Sequence, residues 1–193
     1  MEISIKTHEA RVALVTDAGQ GIGRTIALVA AERGALVIAT GLKPPHGTIR
    51  KMGPTATALQ LDVTQEGDWR SACVKSRAVG KVDMVVNNVS NMDGLAIPGM
   101  SHYIPFQVGI IGFMRRVAYD GIIANAVLPG LTNTLARALQ SQDQKRATWE
   151  QQAIKRLGEP EGVTGAVLFL TSNDAAFNAA PGEIYFWDDC LMS

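Results

Sequence analysis

Arg11-Val12-Ala13-Leu14-Val15-Thr16-Asp17-Ala18-Gly19-Gln20-Gly21-Ile22-Gly23 is the stretch that decides the fold. The run from Arg11 to Thr16 is apolar and rich in valine, which predicts a short buried strand. Glycines then fall at 19, 21 and 23, and the apolar spacing from Ile22 to Arg33 predicts a helix that Gly34 ends. A strand, a glycine turn and a helix in that order make a seat for a phosphate group. Glycines let the backbone come close to the anion, and the helix start offers N–H groups at the positive end of its dipole. The rival reading is a tight turn without a ligand. A glycine cluster alone would not exclude it, but its place between a strand and a helix favours the phosphate seat.

Outward from this turn the chain alternates. Ala35 to Thr40 reads as a second strand, and Gly41 to Pro54 holds enough proline and glycine to allow only a short helix. Thr57 to Val63 reads as a third strand, Trp69 to Val79 as a helix, and Val82 to Asn88 as a buried strand closing on an Asn pair. Ile104 to Asp120 reads as helical, Ile122 to Val127 as a strand running to Pro129-Gly130, and Thr132 to Arg156 as a polar, helical lid. Glu161 to Thr171 is a further helix and Ile184 to Trp187 a last strand. Strands that alternate with helices pair in parallel through crossovers. The expected fold is therefore α/β, a Rossmann-like doubly wound parallel sheet in three αβα layers. At 193 residues it is read as one domain over 1–193, without repeats or an internal linker.

The bulk numbers exclude several classes. Apolar residues at 47% against 19% charged exclude a disordered chain. A net charge of zero leaves no electrostatic footprint for nucleic acid. The longest apolar runs, Ala35 to Ala39 and Ala166 to Leu170, are too short to span a membrane, and no basic block points to a lipid surface. Met1 to His8 carries Glu2 and no apolar run, so no secretory signal is expected. Cys73 and Cys190 have no disulfide or metal spacing, and the three histidines are scattered. The expected setting is cytoplasmic, with no metal.

The chemistry-bearing residues lie further along. Dinucleotide folds that prefer NAD place an acid after the second strand; here that place reads Thr40-Gly41-Leu42-Lys43, and Lys43 with Arg50 suits a 2′-phosphate instead, a mild preference for NADP. Leu61-Asp62-Val63 ends the third strand. Asn87-Asn88 ends the fourth and is followed almost at once by Ser90, with Tyr103 thirteen residues on. Gln107 lies one helical turn after Tyr103, on the same face. Pro129-Gly130-Leu131-Thr132-Asn133-Thr134 follows a later strand.

Taken together, these motifs resemble the short-chain dehydrogenase/reductases, over nearly the whole chain from Arg11 to Ser193. The resemblance implies hydride transfer between NAD(P) and a small-molecule alcohol/ketone pair. It makes Tyr103 the acid/base and Ser90 the group that polarises the carbonyl, with Gln107 where the family carries a lysine. The pyrophosphate seat would be Asp17, Gly19, Gln20, Gly21, Ile22 and Gly23, and Asp62, Val63, Asn87 and Asn88 would lie along the adenine side and the strand end. Pro129, Gly130, Leu131, Thr132 and Thr134 would receive the nicotinamide. Each has a plainer reading beside it: Tyr103 as a packing aromatic, Ser90 as a loop cap, Pro129-Gly130 as a turn.

The departures from the pattern share a direction. Asp17 stands where the family has its first glycine, and Gln107 supplies no positive charge. The family places a helix, a second helix and a strand between the Asn pair and the tyrosine, whereas fifteen residues connect them here. At least one βα unit, roughly 30 residues, is therefore expected to be missing. A second reading follows: a catalytically silent, nucleotide-binding or interaction protein. The resemblance also implies that the missing helix and the Tyr103 helix together build a subunit interface. Without the first, the apolar positions Val108, Ile111 and Val117 lose a neighbour, and a large exposed apolar patch promotes association. We expect light scattering to show a homo-oligomer or aggregate other than a stable, monodisperse family-type tetramer.

Overall fold

The computed structural model describes residues 6–53, 56–88, 124–129, 132–134, 141, 146, 156–175 and 184–187. Six strands and four helices lie among them. They are β1 (Val12–Val15), α1 (Gly21–Glu32), β2 (Leu36–Gly41), α2 (His46–Met52), β3 (Ala56–Gln60), α3 (Glu66–Ser76), β4 (Val82–Val86), β5 (Ala126–Pro129), α4 (Pro160–Leu170) and β6 (Ile184–Trp187). Among the described residues no helix is long and apolar enough to cross a membrane.

Side-chain alternation along β1 builds the layers. Ala13 and Val15 point to one face, into a cluster with Ile26, Ala27 and Ala30 of α1, Val37 and Ala39 of β2, and Leu168 of α4. Val12 and Leu14 point the other way, to Ile38, Leu61 and Ala72, with Trp69 of α3 packed alongside. Two apolar clusters on opposite faces explain why β1 is buried along its whole length and reads as an unbroken apolar run. The small side chains of Ala27 and Ala30 let α1 lie close against the sheet.

All described pairings are parallel, in the order β3-β2-β1-β4. The chain steps outward from β1 to β3 with α1 and α2 on one face. It then crosses back under the other face through α3 to place β4 beside β1, as right-handed crossovers require. The winding direction changes between β1 and β4, and at such a switch point a crevice opens at the carboxyl ends of the strands.

β5 and β6 pair with each other in parallel as a separate two-stranded piece. Among the described residues β4 has no ladder partner on its far side. The parallel pairing throughout matches a Rossmann-like doubly wound sheet. The exposure of β4 corrects the expectation of a buried fourth strand. Met84 is buried on the α1 face, but Val85, beside Leu14 on the α3 face, is 57% exposed and Asp83 is exposed too. Asp83 is also an extra residue in the pairing, and its carboxylate accepts the Val12 N–H at 2.9 Å.

Further boundaries differ from expectation: β3 ends at Gln60 rather than Val63, α3 ends at Ser76 rather than Val79, and β5 spans Ala126–Pro129 rather than Ile122 to Val127. α3 begins at Glu66 rather than Trp69, because Glu66 and Asp68 put negative charge on its first turn. Thr132 to Thr134 are not helical; Thr132 forms a parallel bridge with Gly158, which fixes the loop against the start of α4.

The amino-terminal segment is tied to the far end of α4. His8 is fully buried, its Nε2 lies 3.0 Å from Thr171 Oγ1, and its Nδ1 lies 2.9 Å from Thr7 Oγ1. Arg11 Nη1 donates to the Thr171 carbonyl, a cation placed at a helix carboxyl end. Burial pushes the His8 imidazole below its ordinary value, and the nearby charges of Arg11 and Arg33 push it the same way. A depressed histidine contributes stability that is present above the unfolded value of about 6.5 and is lost as pH falls through the folded value. Thermal melts from pH 8 down to pH 5 should therefore show a loss of stability beginning below about pH 6.5. In His8→Gln that part of the slope should flatten, while stability at pH 8 drops by about 1–3 kcal/mol from the disrupted buried hydrogen bonds.

Candidate functional site

The crevice is built around Thr16, the buried residue that follows β1. Its backbone N–H donates to Val86 O at 3.0 Å, and its hydroxyl donates to Asn87 Oδ1 at 3.1 Å. The same hydroxyl oxygen accepts the Asn88 N–H at 2.9 Å, and Asn88 Nδ2 donates to Thr16 O at 3.4 Å. The Asn pair thus fastens the carboxyl end of β4 to that of β1. Asn88 also touches α1: a methyl group built on Gly23 would lie 2.4 Å from Asn88 Nδ2 and 2.4 Å from Asp17 O. Only glycine allows the helix to start this close to both strands.

The turn itself is pinned from the second strand and helix. Ala18 N–H donates to Thr40 O at 2.8 Å, and the Thr48 hydroxyl donates to Ala18 O at 2.9 Å. Gly21 takes a φ of +52°, and Asp17 takes +47°. Asp17 therefore keeps the left-handed backbone of a glycine while bearing a half-buried carboxylate, a conformation costing an L-residue on the order of 1 kcal/mol. Gln20 is the N-cap of α1 but makes no capping hydrogen bond through its side chain, and no acidic residue occupies the first turn.

This uncapped helix start faces a cleft of about 440 Å³ lined by Gly19, Gln20, Gly21, Arg24, Thr25, Asn133, Thr134 and Pro160. Thr134 closes its far wall: a methyl group on Gly21 would lie 3.5 Å from Thr134 Cγ2. Asn133 holds that wall in place, its N–H donating to Gly158 O at 2.8 Å and its Nδ2 donating to the Glu159 carboxylate at 3.3 and 3.4 Å. A cradle of glycine backbone and helix N–H groups, bounded by a threonine, suits the diphosphate of a dinucleotide in both size and donor chemistry.

The remaining expected contacts sit around this cleft. Lys43 is exposed on the β2–α2 connection, which reaches the turn where Gly19 approaches Pro45, and Arg50 is exposed in the last turn of α2. Asp62 follows β3 with its carboxylate engaged, Oδ1 accepting the Thr64 hydroxyl at 2.7 Å and the Thr64 N–H at 2.9 Å. The side-chain hydrogen bond first, and the backbone one second, hold its carboxyl below the ordinary range. The Val63 carbonyl accepts Trp69 Nε1–H at 3.0 Å, which fixes the strand end. Neither Asp62 nor Val63 lines the cleft. Ile22 is half-buried at the start of α1, and Pro129 is exposed at the end of β5. Ser90, Tyr103, Gln107, Gly130 and Leu131 lie outside the described residues.

Arg24, Thr25, Asn133 and Pro160 join the cleft although the motif spacing did not single them out. For Arg24 and Thr25 a signal was present: residues three and four positions after Gly21 share its helix face.

Comparison with known proteins identifies the architecture. A family model described as short chain dehydrogenase matches residues 11–102, and one described as enoyl-(acyl carrier protein) reductase matches residues 90–188. The 3-oxoacyl-[acyl-carrier-protein] reductase FabG of Escherichia coli (strain K12) is 31% identical, with 88% of this chain and 93% of that protein covered. The chain belongs to the short-chain dehydrogenase family. This short-chain dehydrogenase is accordingly placed among oxidoreductase enzymes. FabG of Vibrio harveyi is 27% identical over the same 88% and 93% shares. The crystal structure of a protein designated gox2181 superposes with a TM-score of 0.82 at 22% identity, covering 95% of this chain and 96% of that one, which supports the fold. The Escherichia coli alignment runs over 227 positions, more than the 193 residues present, so it passes over positions that FabG has and this short-chain dehydrogenase lacks. One family match ends and the next begins within 90–102, where the connection is short.

Replacing Asp17 by glycine should relieve the left-handed strain and remove a negative charge from an anion-binding turn. We expect Asp17→Gly to raise stability by about 1 kcal/mol. NADPH affinity should rise by roughly several-fold to tenfold, most at low salt. Denaturant melts and fluorescence titration measure the two effects.

Proposed function

We propose that this short-chain dehydrogenase binds NAD(P), with NADP favoured, and transfers hydride between the nicotinamide and an alcohol/ketone pair. The observation that carries this reading is the uncapped start of α1, with Gly19 to Gly21 facing a cleft that Thr134 closes. Exposed Lys43 and Arg50, without an acid in Thr40 to Lys43, support the NADP preference. The related FabG proteins are named for reduction of a 3-oxoacyl group, which contains a ketone. A 3-oxoacyl thioester is therefore the first substrate to test. A cytoplasmic location belongs to the same reading.

When bound, the dinucleotide gives or takes the hydride. The chain's own residues handle the oxygen. Ser90 Oγ–H would donate to the carbonyl oxygen and polarise the C=O bond. Tyr103 Oη would give that oxygen its proton in reduction and take it back in oxidation. Free tyrosine titrates near pH 10, so acting as acid/base at neutral pH calls for a shift worth roughly 4 kcal/mol. A neighbouring cation supplies such a shift; Gln107 can hydrogen-bond but carries no charge. Low activity follows.

The break between β4 and β5 favours a second reading, a nucleotide-binding protein without turnover. Titrating NADPH and NADH by fluorescence tests the binding, and one substitution separates the readings. Gln107→Lys should raise ketone reduction, since two units of tyrosine pKa lowering enlarge the tyrosinate fraction about a hundredfold. Tyr103→Phe in that background should abolish it. Gln107→Lys protein that binds NADPH yet stays inactive supports the silent reading, and activity that survives Tyr103→Phe assigns the wrong acid.

A further inference from the structure

Among the described residues lining the cleft, Arg24 is the one that carries charge. It is the fourth residue of α1, half-buried, and among the described residues it is engaged in no ion pair. For stability alone this is a poor place for a cation. The amino end of a helix carries partial positive charge, and a guanidinium there is unfavourable where a carboxylate would be favourable. The first turn holds no acid to offset it, and the other described residues lining the cleft are neutral. An anion in the cleft would remove this conflict, because it would meet the helix N–H groups and the guanidinium together.

We propose that Arg24 is a ligand-contacting residue that grips phosphate oxygens in the cleft, beside the amides of α1. This rests on the dinucleotide reading and adds to it a specific side-chain contact. Arginine suits the task because its planar, always-charged fork can meet two phosphate oxygens at once. The assignment also gives Asp17 a context. The carboxylate adds negative charge at one end of the glycine turn, and Arg24 returns positive charge one helical turn beyond it. Thr134 on the facing wall carries a hydroxyl of the kind that completes a phosphate site, whereas the Thr25 hydroxyl donates to the Gly21 carbonyl at 3.2 Å.

The experiment compares wild type, Arg24→Gln, Arg24→Lys and, as a charge control away from the cleft, Arg77→Gln. Two probes are titrated by calorimetry at several salt concentrations: inorganic pyrophosphate and NADPH. Arg24→Gln should weaken both probes by roughly tenfold or more and flatten the salt dependence, since a charge-assisted hydrogen bond is lost. Arg24→Lys should retain part of the affinity, and Arg77→Gln should match wild type. Without ligand, Arg24→Gln should melt at or above the wild-type temperature, because a cation has left the positive end of a helix.

Affinities within twofold of wild type for both probes in Arg24→Gln overturn the proposal, as does a ligand-free melt that falls well below wild type, which marks a structural role. NADPH bound equally by wild type and Arg24→Gln leaves the dinucleotide reading standing without Arg24. Arg24-dependent binding of pyrophosphate by a protein that ignores NADPH supports the anion contact and removes the dinucleotide reading. Wild type that binds neither probe overturns both.

Discussion

The meeting of Thr16, Asn88 and Gly23 constrains everything around it. Thr16 ends β1, Asn88 follows β4 and Gly23 lies in the first turn of α1, so one small junction holds two strand ends and a helix start. Thr16 is buried and Asn88 half-buried, and their polar groups satisfy one another, which matters because an orphaned buried donor or acceptor destabilises by roughly 1–3 kcal/mol. The junction also leaves no room for a Cβ on the helix. The α1 amides therefore approach the strand ends closely enough to share their crevice with a ligand. Fold and cradle follow from the same packing.

The core divides along this line. The two apolar clusters are built chiefly from β1 to β4 and the helices α1 to α3, with Leu168 of α4 completing one of them. Neither cluster needs a strand beyond β4. Val85, on the α3 face of β4, is exposed, away from the part of the sheet that forms the glycine turn. The cradle stays intact because its supports lie on the other side of β4. The second piece, β5 with β6, still delivers Thr134 to the cleft, through the Thr132–Gly158 bridge and the start of α4.

Much of this was legible in the sequence, and the misses have physical causes. The glycine turn, the strands flanking it and the winding were readable because each depends on local pattern: apolar runs of strand length, helical periodicity, glycines at fixed spacing. β6 falls at Ile184–Trp187 as its pattern predicts. The exposure of Val85 was not readable, since an apolar run looks the same whether or not a helix covers it. The apolar pattern places the start of α3 at Trp69, whereas Glu66 and Asp68 begin the helix through charge. Thr132 to Thr134 followed a polar, helix-like stretch in composition, but a bridge to Gly158 prevailed over that local preference. Of the cleft residues, Gly19 to Gly21 and Thr134 were readable from their motifs, and Arg24 only from helix geometry.

The electrostatics of the turn separate binding from chemistry. Asp17 keeps the left-handed backbone at the turn, so the aspartate changes the charge at this position without changing the path of the chain. The N–H groups that favour an anion remain where the fold puts them, and the two opposite charges, Asp17 and Arg24, act on whatever they hold. Tyrosine-based proton transfer depends on a different charge, at position 107, where glutamine stands. Binding strength and turnover thus respond to different residues. On the proposed reading, the dinucleotide cradle is held by burial and hydrogen bonds tied to the core, whereas the charge that would adjust the tyrosine depends on the single position 107, where glutamine stands.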